Sequence, residues 1–305
     1  MNIPETTQVQ RKTNLPHDQF LAEHLAQSRP VILTDAISHW KALTQWTPKF
    51  FLERYGSATV IIDGRSYAMA DFIQSVLHSE QEHPAPYLRN YLIERYFPEL
   101  LPDIMPLPQY MRPNWFESRL FRSKQSCTFL ELYIGGRGAT FPSLHFDGWH
   151  THAFLMQLHG VKQYLFLPPE QTPLVYPGRA GAHNVSVLED VEHPDLMRFP
   201  LFAQATPIRC ELHPGETLFV PAGWWHTARI LSPSITVSAN TANSTNWQQL
   251  VPDYCAYMGS QKSRLYNHAL RLQLEMLGLL ACSPFGLDLL ACPGDPLLPR
   301  GAVSV

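Results

Sequence analysis

The sequence has few cysteines, little charge and no long uninterrupted apolar run. Its 305 residues include 5 cysteines, which are widely spaced and form no CxxC pair: Cys127, Cys210, Cys255, Cys282 and Cys292. This pattern argues against a disulfide framework and a structural zinc site, and it predicts a reducing, cytoplasmic location. Charged residues make up 16% of the chain, below the roughly 25% usual for soluble domains.

Signals for membranes and nucleic acids are also missing. Residues 1–20 contain no apolar core of the kind that a signal peptide needs. The most apolar stretch, 276–292, is interrupted by Pro284, two glycines and Asp288, so we expect no membrane span. The net charge of −3 offers no general basic surface, which makes a nucleic-acid partner improbable. With 45% hydrophobic residues, the chain is expected to be soluble and globular.

The pattern along the chain predicts four parts. Residues 1–14 are polar and are expected to be flexible. Residues 15–127 are expected to be mixed α and β, residues 128–247 to form a β core, and residues 248–305 to be a C-terminal helical segment.

Within these parts, apolar periodicity predicts individual elements. Residues 17–28, 48–55, 69–77 and 261–282 have helical spacing, and Pro48 and Gly56 bracket the second of these helices. Strand-like runs occur at 29–36, 58–63, 128–135, 153–160, 162–168, 216–221 and 234–240. Short strands separated by turn residues predict a mainly β fold with an antiparallel barrel or jelly roll. Residues 169–200 have five prolines and are expected to be a long, functional loop.

The strongest chemical signal is the pair His145 and Asp147. Alternate residues of a strand point to one side, so both side chains can face one point inside a barrel. His226, which follows the 216–221 strand and Trp225, can supply a third ligand. Two histidines and a carboxylate are the facial triad of non-haem Fe(II) oxygenases.

A second pair, His150 and His152, competes for this role. It has the spacing found in cupin sites with three histidines and one glutamate, but the next glutamate is Glu170, beyond another strand. We therefore interpret His150 and His152 as residues at the mouth of the site or as structural residues. Together with Trp149 and Trp225, they are candidate substrate contacts.

These motifs together resemble the JmjC-type (cupin-like) 2-oxoglutarate oxygenases. The likeness covers most of the chain and runs through RPVILTDAISHW, SLHFD, GVKQYLFLPPEQ, HPGETLFVPAGWWH and ITVSAN. Within this family, the sequence most resembles the protein hydroxylases that modify asparagine in the hypoxia-inducible factor. The resemblance implies a double-stranded β-helix core and a catalytic Fe(II) centre at His145, Asp147 and His226.

The resemblance also implies a 2-oxoglutarate site. The basic group that binds the far carboxylate corresponds to Lys162, and a tyrosine hydroxyl at the same carboxylate corresponds to Tyr87. Asn240 matches an asparagine near the cosubstrate. The family hydroxyl before the first histidine falls near Thr140, with Ser143 as the alternative.

The implied activity is an Fe(II)- and 2-oxoglutarate-dependent dioxygenase that uses dioxygen, releases succinate and hydroxylates a protein or peptide side chain. N-methyl-lysine demethylation and hydroxylation of a tRNA base are alternatives, and a non-catalytic, peptide-binding cupin is an alternative of another class. The apolar C-terminal segment predicts either a helix packed on its own core or a homodimer contact.

Overall fold

The computed structural model describes residues 8–117, 130–179, 182–259 and 262–281. The strands in these ranges are β1 (Gln10–Lys12), β2 (Val31–Leu33), β3 (Thr59–Ile62), β4 (Arg65–Ala68), β5 (Leu88–Leu92), β6 (Glu131–Gly135), β7 (His152–His159), β8 (Lys162–Leu167), β9 (Ile208–Leu212), β10 (Thr217–Val220), β11 (Trp225–Ile230) and β12 (Ser234–Thr241). The α-helices are α1 (His17–Phe20), α2 (Ala42–Gln45), α3 (Pro48–Tyr55), α4 (Met69–Leu77), α5 (Ile93–Tyr96), α6 (Trp247–Gly259) and α7 (Arg264–Ala281). A π-turn follows α1 at Leu21–Leu25, and 3₁₀ turns occupy Pro98–Ile104, Gln109–Met111, Trp115–Glu117, Gly148–His150, Pro169–Val175 and Pro200–Gln204.

Two facing sheets form the centre of the molecule. The larger sheet has seven strands in the order β1-β2-β10-β7-β12-β6-β5, and the smaller has the order β11-β8-β9. Neighbouring strands are antiparallel except for β1 and β2. One cavity is lined from both sheets, by Leu155 and Thr236 of the larger and Tyr164 of the smaller. The predicted jelly-roll core with flanking helices is therefore confirmed.

The turn between β7 and β8 joins the two sheets. Gly160 has a φ of 68°, which L side chains rarely adopt. A Cβ atom built there would lie 2.0 Å from the carbonyl oxygen of Pro233. Beside it, the amide of the buried Gln157 donates to the carbonyl oxygens of His159 and Gly160 over 2.7 and 2.9 Å. This turn sets the start of β8, and hence the position of Lys162.

The N-terminal part contributes directly to the larger sheet. Residues 10–12 lie within the segment expected to be flexible, yet they form β1 and pair with Val31–Leu33. Their polar side chains gave no strand signal because the contacts that stabilise β1 come from the backbone of β2 and from Arg11, whose Nε lies 3.0 Å from Glu216 Oε1. Helix α3 begins as predicted, with Thr47 Oγ1 accepting a hydrogen bond from the Phe50 amide over 3.1 Å.

The segment expected to be a long loop, 169–200, packs against the smaller sheet. Its apolar residues Val175, Leu188 and Phe199 share a buried cluster with Phe146 and Trp225. This burial explains why so proline-rich a segment is ordered without strands of its own.

The C-terminal helices pack against each other, and α6 also contacts the Gly148–His150 turn. Helix α7 confirms the helix predicted at 261–282, and its apolar face is divided between a buried Leu274 and exposed side chains that include Leu265 and Leu279. In the ranges that the structure describes, no helix has both the length and the apolar character to cross a membrane.

Candidate metal centre

The first two candidate ligands lie on an extended segment rather than in a regular strand. His145 forms isolated bridges with His226 and Val185, and Asp147 stands at the N-cap of the Gly148–His150 turn. The backbone amides of His145 and His226 each donate to the carbonyl oxygen of the other residue, over 3.0 and 2.6 Å. This reciprocal pairing replaces the expected strand and fixes the two histidines side by side.

The three side chains converge on one point. One donor atom from each of His145, Asp147 and His226 lies within 4.8 Å of the other two. His226 Nε2 is 3.8 Å from Asp147 Oδ2, and the two imidazole rings have centroids 4.5 Å apart. Strand β11 presents His226 towards this point, and Trp225 therefore faces the opposite way.

Hydrogen bonds orient both imidazoles for metal binding. His145 Nδ1 lies 3.1 Å from the carbonyl oxygen of Ser143, and His226 Nδ1 lies 3.0 Å from that of Trp224. Because a carbonyl only accepts, Nδ1 carries the proton in each ring and the Nε2 lone pair is left for a ligand. This donor set fits a divalent transition metal with further positions open.

Burial controls the charges of the centre. It lowers the pKa of His145 to about 3, and the neighbouring His226 adds to the effect. His145 is therefore neutral at physiological pH, as metal binding requires. Burial also raises the pKa of Asp147, which His226 and the side chain of Asn240 oppose.

Lys162 and Tyr87 form a second polar group. Lys162 is 2% exposed and its Nζ donates to Tyr87 Oη over 2.9 Å. Burial lowers the pKa of Lys162 to about 7 and raises that of Tyr87. Nζ also lies 5.3 and 5.5 Å from the ring centroids of Tyr87 and Tyr133, so aromatic faces surround the cation.

The triad and the Lys162–Tyr87 pair line a single cavity of about 380 Å³. The lining includes Trp149 and Phe141, whose ring stacks on His145 with centroids 4.3 Å apart. Asn240 also lines the cavity, and its Nδ2 donates to Thr151 Oγ1 over 2.7 Å. The arrangement provides a metal-ligand face and a basic face within one cavity.

Sequence reasoning missed a third polar group in the cavity, formed by Glu131, Tyr133 and Asn90. Tyr133 Oη donates to Glu131 Oε2 over 2.8 Å, and Asn90 Nδ2 donates to the same oxygen over 3.3 Å. Burial raises the pKa of Glu131, and the hydrogen bond from Tyr133 opposes this shift. The alternation of β6 could have indicated that Glu131 and Tyr133 share a face.

Thr140 and Ser143, the two candidate hydroxyls, are not part of this cavity. Thr140 is exposed and bridges to Arg229, and both residues line a separate outer cleft. The backbone alternation that turns Phe141 into the cavity turns Thr140 outwards.

Three candidate substrate contacts also lie elsewhere. His152 is buried, its Nε2 is 2.9 Å from Thr245 Oγ1, and its Nδ1 accepts from the Ala222 amide over 3.0 Å. Trp225 Nε1 donates to Thr172 behind the triad, and His150 pairs with Asp253. Each of these side chains therefore has a structural contact outside the cavity; Trp149 is the candidate that lines it.

The fold and the site together define a double-stranded β-helix protein with a two-histidine, one-carboxylate centre. Residues 62–248 match the family model described as "Cupin-like domain". The chain belongs to this family and, by its relatives, to the JmjC-type cupin-like oxygenases.

Several curated relatives are similar over much of the chain. Lysine-specific demethylase JMJ21 of Arabidopsis thaliana is 29% identical over 78% of this chain and 26% of its own length. Lysine-specific demethylase 8 of Xenopus tropicalis is 30% identical over 72% of this chain and 50% of its own. HSPB1-associated protein 1 of Homo sapiens is 37% identical over 46% of this chain and 28% of its own. The matches thus span half or less of these relatives, and the narrower likeness to asparaginyl hydroxylases stays a prediction.

Proposed function

We propose that this protein is an Fe(II)- and 2-oxoglutarate-dependent dioxygenase that hydroxylates a side chain of a protein or peptide. The observation that carries the proposal is the presence of the triad and the Lys162–Tyr87 pair in one cavity. A metal and a dicarboxylate can both be bound there, and the remaining lining is available to a substrate.

His145, Asp147 and His226 are the residues that would hold the iron. When bound, the iron with 2-oxoglutarate and dioxygen supplies the oxidation of an unactivated C–H bond. The protein contributes neutral imidazoles, because carbonyl acceptors keep the proton of each ring at Nδ1. It also contributes a carboxylate that Asn240 helps to keep ionised.

Lys162 and Tyr87 would bind the far carboxylate of 2-oxoglutarate. A carboxylate beside Nζ favours the ammonium form, since the charged pair replaces the solvation that burial removes. Tyr87 Oη, already 2.9 Å from Nζ, is placed to donate its own proton to the same carboxylate. The aromatic faces of Tyr87 and Tyr133 keep water away from this charge pair.

The part of the cavity lining away from the proposed metal and 2-oxoglutarate ligands suits a protein or peptide substrate. The lining contributes polar groups at Glu131, Asn90 and Tyr133 together with the Trp149 ring. Such a mixture of a buried carboxylate, amide and aromatic surface suits a polar side chain inserted from a larger chain.

Demethylation is the second candidate, and the relatives favour it. Proteins named lysine-specific and arginine-specific demethylases match 72–79% of this chain. The two reactions share the step that oxidises a C–H bond and differ in the position of that bond, because a hydroxylated N-methyl group is lost as formaldehyde.

The test is turnover of the purified chain with Fe(II), 2-oxoglutarate, dioxygen and a library of unmodified and methylated peptides. Hydroxylation predicts succinate and a stable product that has gained one oxygen atom; demethylation predicts succinate, formaldehyde and a peptide that has lost a methyl group. An absence of both peptide products, with no binding of iron or 2-oxoglutarate, would overturn the proposal. Asp147→Ala is the negative control.

A homodimer through the C-terminal helices is a further part of this proposal. The exposed leucines of α7, Leu265, Leu272 and Leu279, lie along the helix at intervals of seven residues and could pack against a second copy. Sedimentation equilibrium of the chain and of its Leu272→Glu variant tests this point, since a dimer contact predicts dissociation of the variant.

A further inference from the structure

A second group of metal-type ligands lies beside the cavity, among His150, His183 and Asp253. His150 Nδ1 is 2.7 Å from Asp253 Oδ2, and His183 Nε2 is 3.2 Å from Asp253 Oδ1. One donor atom from each residue lies within 4.8 Å of the others. The three side chains are absent from the lining of the cavity that holds the triad.

The three residues come from separate segments of the chain. His150 ends the Gly148–His150 turn, His183 belongs to the segment before Val185, and Asp253 lies on α6. Their side chains are 22%, 49% and 16% exposed. The group is therefore held by the fold and still open to solvent on the His183 side, which leaves space for a water ligand.

The backbone at His150 is held in an unfavourable conformation. Trp149 and His150 have φ values of 57° and 49°, in the left-handed region that is unfavourable for non-glycine residues. Asn246 Nδ2 donates to the carbonyl oxygen of His150 over 2.8 Å and secures this conformation. In this backbone conformation, the His150 imidazole contacts Asp253 of α6.

We propose that His150, His183 and Asp253 form a second metal site, which binds Zn²⁺. Imidazole nitrogens and a carboxylate oxygen are zinc ligands, and zinc bonds of about 2.0–2.2 Å put tetrahedral donors about 3.4 Å apart. The two imidazoles lie 2.7 and 3.2 Å from the two oxygens of Asp253, and side-chain rotation within the 4.8 Å group can bring one donor from each residue to that spacing. Ca²⁺ and Mg²⁺ prefer oxygen ligands, so the two imidazoles favour zinc.

A zinc ion here would fasten α6 to the segment that carries the triad. Asn184, next to His183, exchanges hydrogen bonds with the backbone of Phe146 over 3.0 and 3.1 Å. The Phe146 ring lies 4.5 Å from the His150 ring and 5.8 Å from the His183 ring. Phe146 itself separates His145 from Asp147 in the chain. The proposed site therefore braces the metal centre from behind, and it does not depend on the function proposed above.

Zinc stoichiometry of the 305-residue, tag-free chain tests the site. After chelation and dialysis, we expect wild type to bind two Zn²⁺ per chain, His183→Ala one, His145→Ala/Asp147→Ala one, and the combined triple variant none. His183→Ala is expected to fold because the side chain is half exposed. His213→Ala is the matched control: its side chain is 48% exposed and its Nε2 lies 3.7 Å from Glu211, and it should keep both ions.

Thermal denaturation supplies a second readout. Zn²⁺ at about 100 times its Kd should raise the Tm of the His145→Ala/Asp147→Ala variant by several degrees, and His183→Ala or Asp253→Asn on that background should abolish the rise. Equal zinc binding by wild type and His183→Ala, or no zinc bound by the His145→Ala/Asp147→Ala variant, overturns the proposal.

Discussion

Lys162 Nζ donates to Tyr87 Oη over 2.9 Å, and both side chains are buried on the wall of the cavity that also holds the metal ligands. The lysine starts β8 and the tyrosine precedes β5, so the pair brings together the two sheets of the jelly roll. The pair thus places a buried amine beside a hydroxyl group on the cavity wall.

Removal of the Tyr87 hydroxyl should weaken cosubstrate binding. Tyr87→Phe leaves the ring in place and deletes one donor to the carboxylate, so the KM for 2-oxoglutarate should rise about tenfold, equivalent to about 1.4 kcal/mol. The kcat should change little. Tyr55→Phe is the control, because Tyr55 Oη donates to Glu99 in the N-terminal part. Equal KM values for Tyr87→Phe and wild type would contradict this role.

The binding of 2-oxoglutarate should depend on pH through Lys162. Its pKa is lowered to about 7 by burial, and a bound carboxylate favours the ammonium form, so the free protein loses the proton that the complex keeps. Affinity should be constant below pH 7 and fall about tenfold per pH unit above it. Calorimetric titration with an inert divalent metal in place of iron, between pH 6.5 and 9, measures this slope.

Lys162→Arg is the control for that titration, since a guanidinium stays charged throughout this range. Its affinity for 2-oxoglutarate should be independent of pH. A wild-type affinity that is equally independent of pH would show that Lys162 is not the titrating group.

Asp147→Asn should remove the metal while preserving the fold. The substitution keeps the size of the side chain and deletes the negative charge 3.8 Å from His226 Nε2. We expect iron affinity and turnover to fall by about 100-fold or more. Metal analysis and succinate release measure both effects. Asp71→Asn, in the exposed first turn of α4, should match wild type, and full iron binding by Asp147→Asn would refute the ligand assignment.

The Gln157 side chain should contribute strongly to stability. Its amide nitrogen donates to His159, Gly160 and Ser234, and its oxygen accepts from Thr236 Oγ1 over 2.7 Å. Gln157→Leu leaves these buried groups without that partner and should lower the free energy of unfolding by about 2–3 kcal/mol.

Urea denaturation measures the effect of Gln157→Leu. Gln163→Leu on β8 is the matched comparison, because Gln163 is only partly buried and faces the outer cleft; it should change stability by about 0.5 kcal/mol or less. Similar losses for both variants would show that the hydrogen bonds of Gln157 are not responsible.

Much of the fold could be predicted because local patterns were strong. The helix at 48–55 carried both its N-terminal proline and its terminal glycine, and its bounds agree with α3. The central strands were apolar runs between turn residues. By contrast, β1 is polar on its own and is a strand only because β2 lies beside it.

Some residues of the candidate site could likewise be identified from the sequence, and others could not. Lys162 was conspicuous as a cation in an apolar run, and the structure places it in the cavity. Glu131 and Tyr133 were missed because nothing local distinguishes an inward carboxylate from an outward one on β6. Thr140 and Ser143 could not be separated by sequence, since the outward direction of Thr140 depends on its bridge to Arg229 of β11.

The Trp149 ring packs against Tyr254 and Tyr257, with centroids 5.1 and 5.3 Å apart. Those tyrosines belong to α6, which extends past residue 248, where the cupin-like match ends. Trp149, a residue of the cavity lining, is thus held by a helix that lies almost entirely beyond the cupin-like match. For the proposed dioxygenase, we therefore expect a chimera that exchanges α6 to change substrate selectivity before it changes the rate of 2-oxoglutarate consumption.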